Sequence, residues 1–124
     1  MTYRLSVKDG FAAAHRLTGS GGKCESLHGH NFRVTLEVKG DHLGGSGMLM
    51  DFGELKKILR TVLEELDHTD LNEHPAFRSS GPSSENIARF IWGEVHRRIG
   101  PDEVRTASVT VEESETAAAK YEPE

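Results

Sequence analysis

Two segments near the start of the chain alternate between hydrophobic and polar residues, which predicts two β-strands. Residues 2–8 alternate first, and the stretch from His28 to Lys39 alternates for longer. Because successive side chains of a strand point to opposite faces, each segment presents one apolar face to a core. The residues on these faces are Tyr3, Leu5 and Val7 in the first segment, and Phe32, Val34, Leu36 and Val38 in the second. Residues 48–50 predict a further short strand after a glycine-rich turn.

The middle of the chain has apolar residues at helical spacing instead. Asp51 with Glu54 three residues later forms a capping box, which predicts the start of a helix. Ser83 or Ser84 begins a second helix, which Gly100 ends. The apolar positions are Leu55, Ile58, Leu59, Val62, Leu63 and Leu66 in the first helix, and Ile87, Phe90, Ile91, Val95 and Ile99 in the second. Both helices are therefore predicted to be amphipathic.

Alternation returns at the end of the chain, over residues 104–112, and a final short strand is predicted over 118–121. The order of elements is strands, helix, helix, strands, without the regular β-α-β alternation that accompanies a parallel sheet. We expect a single α+β domain over residues 1–124, with an antiparallel sheet and two helices on one face.

Composition narrows the class of protein further. A formal net charge of -5 at pH 7 argues against a general nucleic-acid binder. The single cysteine excludes an intramolecular disulfide, and with no run of membrane-spanning length we expect a cytoplasmic protein and no membrane partner. A hydrophobic share of 35% is small for a solitary domain of this length, so we expect an oligomer.

Histidines provide the first candidate chemistry. His28 and His30 share a face with the apolar residues of their strand, and buried imidazoles require partners such as a metal ion. If the first two strands pair as a hairpin, His15 comes close to both. Three neutral histidines suit zinc with one open coordination position. An isolated H-x-H pair also occurs on ordinary surfaces, and we expect the histidines outside this set, His42, His74 and His96, to be solvated.

Cys24, four residues before His28, has three interpretations. It is a small buried hydrophobic residue, a fourth zinc ligand that closes a structural site, or a thiolate base beside the metal. Asp67 and His68, at the end of the first helix, are either ordinary helix-end residues or a proton relay.

Glutamates crowd the end of the strand over 104–112, at positions Glu112, Glu113 and Glu115. Most such carboxylates are solvated. One that points into a cleft would instead accept N–H bonds from a planar heterocycle, as carboxylates do from guanidinium.

Taken together, the chain resembles the 6-pyruvoyl tetrahydropterin synthase family, and most of all its queuosine-pathway branch, the 6-carboxy-5,6,7,8-tetrahydropterin synthases. The resemblance spans nearly the whole chain, in a fixed order of short motifs. These are Phe11-Ala12-Ala13-Ala14-His15, Cys24-x-x-x-His28-Gly29-His30, Met50-Asp51-Phe52, Leu66-Asp67-His68 with Leu71-Asn72, Pro82-Ser83-Ser84-Glu85-Asn86, and Glu113-Ser114.

The resemblance implies a tunnelling-type fold: a four-stranded antiparallel sheet with two helices, assembled as trimers into a barrel and then a homohexamer with active sites at subunit interfaces. It implies zinc bound by three histidines, Cys24 as the base, Asp67 with His68 as the relay, and Glu113 as a catalytic and pterin-anchoring residue. The implied zinc ligands are His15, His28 and His30.

The implied substrate is 7,8-dihydroneopterin triphosphate. The short spacing between Cys24 and His28 is like that of the carboxy branch, whose lyase reaction releases acetaldehyde and triphosphate. That branch tends to have an arginine after its C-terminal tyrosine, whereas Glu122 follows Tyr121 here. The alternatives are a 6-pyruvoyl synthase, which does not cleave the side chain, and a non-catalytic binding domain stabilised by zinc.

Overall fold

The computed structural model describes residues 1–19 and 22–123, apart from the side chains of Lys23 and Cys24. In this part of the chain, five strands form one open sheet with the order β3-β1-β2-β4-β5. The elements are β1 (Tyr3–His15), β2 (His28–Gly40), α1 (Phe52–Glu64), β3 (Thr69–Asp70), α2 (Ser84–Ile99), β4 (Arg105–Ser114) and β5 (Ala117–Tyr121), with 3-10 turns at Gly22–Glu25, Leu71–Glu73 and Pro75–Phe77. None of the described helices is both long and apolar enough to cross a membrane.

The predicted α+β class, with two helices on one face of the sheet, is confirmed. The strand count differs slightly, because β3 adds two residues that pair parallel to β1. A strand this short leaves no alternation in the sequence by which to recognise it. The strand predicted over residues 48–50 is absent. There Gly44 N donates to Met48 O at 2.9 Å, so this segment closes on itself as a turn.

The first strand is longer than its alternation indicated, because it continues to His15 and pairs antiparallel with β2 along its whole length. Gly10 interrupts the apolar pattern for a packing reason: a Cβ at this position would lie 2.9 Å from Phe32 O. Beyond it, Phe11 stacks on Phe32 with ring centroids 4.9 Å apart. The hairpin therefore runs on until His15 faces His28.

The helices cover the apolar face of the sheet and are capped as predicted. The Asp51 carboxylate accepts from Glu54 N at 3.1 Å at the start of α1, and Ser83 Oγ accepts from Asn86 N at 3.1 Å at the start of α2. Gly100, with a φ of 86°, ends α2 in a conformation that favours glycine. The buried helix residues belong to one core with the strands: Leu55, Leu59, Val62 and Leu63 from α1, and Ile87, Ala88, Ile91 and Val95 from α2.

Candidate metal centre

The end of the β1–β2 hairpin brings three histidines together. His15 and His28 are register partners, and His30 lies opposite Ala13, two residues further along the hairpin. Partners in an antiparallel pair point to the same face, so all three imidazoles continue the face that forms the core. Their ring centroids lie 4.6, 5.2 and 4.8 Å apart. The hairpin of β1 and β2, on which the prediction of this cluster depends, is therefore present.

Backbone carbonyls set the orientation of two of these rings. His15 Nδ1 lies 2.7 Å from Pro82 O, and His28 Nδ1 lies 2.7 Å from Ser26 O. A carbonyl oxygen can only accept, so each Nδ1 carries the proton and donates it. In the neutral rings, the lone pair of each Nε2 is then free to bind a metal ion, and the second interaction of each ring fixes its direction.

Glu113 joins the histidines from β4. It lies at the irregularity in the pairing of β4 with β5, and its Oε1 is 3.2 Å from His15 Nε2 and 3.4 Å from His30 Nε2. The four ligand atoms of this group lie within 4.8 Å of one another. The cluster of His15, His28, His30 and Glu113 can therefore hold a metal ion.

The contact between His15 and Glu113 shows that a metal ion fits at this cluster. His15 is fully buried, and its Nε2 has no hydrogen-bond partner within residues 1–19 and 22–123. With the proton on Nδ1, the Nε2 lone pair and the Glu113 carboxylate are two acceptors that face each other. A cation at the histidine nitrogens removes this conflict, because it takes the lone pair of Nε2 and attracts the carboxylate, and three neutral imidazoles suit zinc with one open position.

The electrostatics of His30 favour the ligating form. Burial is the main effect and lowers the pKa of His30 below its ordinary value of 6.5. The Glu113 carboxylate opposes this by raising the pKa, while His15 and His28 lower it further. A lower pKa keeps the ring neutral, which is the form that binds a metal.

Asp67 and His68 follow α1 and form a hydrogen-bonding pair. Asp67 Oδ1 accepts from Ala12 N at 2.9 Å and lies 3.1 Å from His68 Nδ1. The Ala12 N–H is the largest influence holding the pKa of Asp67 below its ordinary value, with smaller contributions from His68 and Arg60. The His68 side chain is 80% exposed, and its ring contacts the Asp67 carboxylate.

His68 also lies at the same groove as the histidine cluster. The open groove has a volume of about 530 Å³, and both His30 and His68 line it, together with strand residues of β1 and β2. The backbone of His68 has a φ of 59°, in the left-handed region that non-glycine residues rarely adopt. Strained residues of this kind concentrate at functional sites, which makes His68 a candidate for a functional role.

The remaining candidate residues from the sequence are Cys24, Glu112 and Glu115. The side chain of Cys24 lies outside the described residues. Glu112 pairs in register with Arg33 on the opposite face of the sheet, and Glu115 is exposed. The exposure of Glu115 agrees with the solvated interpretation of that residue, while Glu112 is half-buried.

Two of the histidines expected to be solvated are not. His74 Nε2 contacts the Glu65 carboxylate, and the ring packs against Phe77 and Phe90. His96 stacks on Trp92 with ring centroids 4.7 Å apart. The expectation was wrong because local sequence does not show which loops and helix faces are covered by another element. His42 is exposed, as expected.

Sequence reasoning also missed the groups that support the site. The carbonyls of Ser26 and Pro82 orient the ligand histidines, and Arg60 approaches Asp67. Every residue has a backbone carbonyl, so the residue type does not show which carbonyls orient a ligand. The position of Pro82 in the motif before α2 is the one feature of the sequence that could have indicated its role.

Comparison with known proteins gives a consistent family. Residues 4–124 match the sequence family described as 6-pyruvoyl tetrahydropterin synthase. The 6-carboxy-5,6,7,8-tetrahydropterin synthase of Synechocystis is 40% identical over 116 residues, which cover 90% of this chain and 86% of that protein. The human 6-pyruvoyl tetrahydrobiopterin synthase is 31% identical over 108 residues, covering 76% of this chain and 74% of that protein.

The fold agrees with a solved structure of the same group. The 6-pyruvoyl tetrahydropterin synthase of Caenorhabditis elegans superposes with a TM-score of 0.89 at 27% sequence identity. The superposition covers 100% of this chain and 97% of that chain. The likeness therefore extends over the hairpin, both helices and the C-terminal strands.

Proposed function

The chain belongs to the 6-pyruvoyl tetrahydropterin synthase family, and from this premise we propose that it is a zinc-dependent lyase. The proposed reaction consumes one water molecule and converts 7,8-dihydroneopterin triphosphate to 6-carboxy-5,6,7,8-tetrahydropterin, with release of acetaldehyde and triphosphate. The observation that carries the proposal is the convergence of the His15, His28 and His30 nitrogens at one point. The short spacing between Cys24 and His28 and the 40% identity to a carboxy-branch relative support the choice of branch.

In this proposal, His15, His28 and His30 bind the metal through ring nitrogens that the chain holds in place. Zinc bound there would supply Lewis acidity to the hydroxyls of the pterin side chain and lower their pKa. Pro82 O and Ser26 O keep the protons of His15 and His28 on Nδ1, so the ligand nitrogens stay available without a rearrangement.

Proton transfer is assigned to Cys24 and to the Asp67–His68 pair. Cys24 is the proposed base that removes a proton from the substrate side chain. It precedes His28 by four residues, and a metal near a cysteine favours the thiolate form. His68 Nδ1 faces the Asp67 carboxylate, which leaves Nε2 as the atom that exchanges a proton with the substrate. Asp67 orients the ring and stabilises its charged form.

Glu113 is the proposed catalytic and anchoring residue for the pterin ring. Its Oε1 lies at the histidines, and the proposal assigns Oε2 to the N–H groups of the heterocycle. We expect Glu113→Ala to abolish pterin binding while the protein retains zinc. Loss of zinc instead would make Glu113 a fourth ligand.

The proposed assembly is a homohexamer of two trimers in the cytoplasm, with active sites between subunits. The small hydrophobic share of the chain and the high exposure of His68 support an assembly in which a neighbouring copy covers this surface.

The decisive experiment is an assay of the purified, zinc-loaded protein with 7,8-dihydroneopterin triphosphate. Acetaldehyde and triphosphate in equal amounts are expected. Triphosphate without acetaldehyde would favour the second candidate, a 6-pyruvoyl synthase. The similarity to the human relative and to the C. elegans structure supports this candidate. Neither product, with zinc held by four protein ligands, would favour a non-catalytic domain.

Metal analysis of variants supplies the control for the ligand set. His28→Ala and His30→Ala should each lose most of the bound zinc. His42→Ala, at an exposed loop position, should retain it.

A further inference from the structure

Arg60 of α1 connects the helix to the first strand and to the Asp67–His68 pair. Its Nη1 lies 3.3 Å from Asp9 Oδ1 and 3.3 Å from Gly10 O. Its Nη2 lies 3.7 Å from Asp67 Oδ2. One guanidinium therefore stands between two carboxylates, one from β1 and one from the segment after α1.

The surroundings of Arg60 show that this position is not an ordinary surface ion pair. Its side chain is 36% exposed, against 32% for Asp9 and 26% for Asp67. The Nε and Nη2 atoms are buried, and neither has a hydrogen-bond partner in the part of the chain that the structure describes. A guanidinium stays charged in proteins, so the two carboxylates are the groups that balance it.

The Asp67 carboxylate receives contacts on both oxygens. Oδ1 accepts from Ala12 N and faces His68 Nδ1, while Oδ2 points to Arg60. The terminal torsion of an aspartate is broad, so the backbone bond alone leaves the carboxylate free to turn. Arg60 opposes that rotation from the other side.

We infer that Arg60 is a positioning residue for the proton relay: it holds the Asp67 carboxylate in the orientation that keeps His68 aligned over the groove. The inference rests on the proposed function for the roles of Asp67 and His68. Because His68 is 80% exposed, few other contacts hold its ring, so a turned carboxylate releases it.

The test compares Arg60→Met and Arg60→Lys in the full, zinc-loaded chain. General acid–base groups contribute about 10²- to 10⁴-fold to rate, and a misaligned relay loses part of this. We expect Arg60→Met to lower kcat by about 10- to 100-fold with little change in KM or zinc content. Arg60→Lys should recover part of the rate, since it keeps the charge. Arg97→Met, which removes an exposed cation paired with Glu94, is the matched control and should leave kcat unchanged.

A double-mutant cycle shows whether Arg60 acts through Asp67. In an Asp67→Asn background, Arg60→Met should cause no further fall in kcat. An equal fall in both backgrounds, or an unchanged kcat in the single variant, would overturn the inference. If Arg60→Met fails to fold, Asp9→Asn removes one of the two carboxylates around the guanidinium, and a smaller fall in kcat is expected.

A measurement without turnover separates this inference from the proposed function. NMR of the His68 ring follows the hydrogen bond between its Nδ1 and the Asp67 carboxylate, which should be lost in Arg60→Met and kept in Arg97→Met. An unchanged Nδ1–H signal in Arg60→Met would contradict the role of Arg60 even in an active enzyme. An absence of products in the wild-type assay, with the hydrogen bond lost in Arg60→Met as expected, would contradict only the proposed function.

Discussion

At the scale of single residues, His68 combines strain with exposure. Its φ of 59° is unfavourable for a residue with a Cβ, and its side chain has little burial to compensate. Its backbone N–H donates to Ala12 O, which ties this segment to β1. The conformation is therefore imposed by the hydrogen bonds around it rather than by the preference of the residue.

Substitution of His68 should separate stability from activity. Both His68→Ala and His68→Gly remove the proposed relay, so both should lose turnover. His68→Gly should nonetheless be more stable than His68→Ala by about 1 kcal/mol, because glycine adopts a positive φ without steric cost. Urea unfolding of the two variants measures the difference. A glycine variant less stable than the alanine variant would show that the backbone strain at this position is unimportant.

The Asp67 carboxylate should make the free energy of unfolding depend on pH. Its pKa is held below 3.8 in the folded protein, chiefly by the Ala12 N–H. The ionised Asp67 carboxylate therefore contributes fully to the free energy of unfolding above the pKa that it has in the unfolded chain. This contribution is lost as the pH falls through its lower pKa in the folded protein. We expect wild type to be more stable than Asp67→Asn at about pH 6, with the difference shrinking as the pH falls below 3.8.

Thermal or urea unfolding at several pH values measures this difference. Asp102→Asn, at an exposed turn position, is the matched control and should change stability little at any pH. A gap between wild type and Asp67→Asn that stays constant from neutral to acid pH would contradict the linkage.

At the scale of elements, the start of α2 also supports the histidine cluster. Ser83 caps the helix, and the adjacent Pro82 carbonyl orients His15. The same few residues thus end a loop, begin a helix and fix the tautomer of a candidate ligand. Stability of the helix start and metal affinity should consequently be coupled.

Two N-cap variants test this coupling. Ser83→Ala should lower the free energy of unfolding by about 1 kcal/mol. It should also weaken zinc binding by about tenfold, since groups that orient a ligand affect metal affinity by about 10- to 100-fold. Asp51→Ala removes the cap of α1 and should lower the free energy of unfolding by a similar amount. It should leave zinc affinity unchanged, because the start of α1 orients none of the histidines in the part of the chain that the structure describes. Chelator competition measures the affinities, and equal affinities in both variants would contradict the coupling.

At the scale of the whole molecule, we propose that the active site is shared between neighbouring chains. His68 is largely exposed, and β5 is at an outer edge of an open sheet. Exposed strand edges favour association with another chain. An assembly that brings Cys24 of one chain to His68 of another would complete the proton-transfer groups.

Mixing of inactive variants tests for shared sites. Cys24→Ala and His68→Ala should each retain zinc and lose turnover. After dissociation and reassembly in equal amounts, random pairing of chains should restore about a quarter of the wild-type activity if the two residues come from different subunits. Sites built within single chains would stay inactive in every mixture, and a monomeric mass in solution would contradict the assembly.

The helices, their caps and the inward face of β2 can be predicted from the sequence, because they depend on periodicity and on hydrogen bonds between near neighbours. Asp51 is predicted as the cap of α1, and Ser83 or Ser84 as the cap of α2, for this reason. Parity alone places His28 and His30 on the core face. The family was also predictable, since the order of its short motifs is a property of the sequence.

The way in which these parts meet depends on tertiary packing and cannot be predicted from local sequence. His15 joins the cluster because β1 extends past Gly10, and its orienting carbonyl is 67 positions away at Pro82. The Glu113 contact needs the irregular pairing of β4, and the Arg60 contact to Asp67 needs α1 packed against β1. The two-residue strand β3 and the covered rings of His74 and His96 were missed for the same reason. Contacts between distant segments depend on register and packing, which no local pattern of residues encodes.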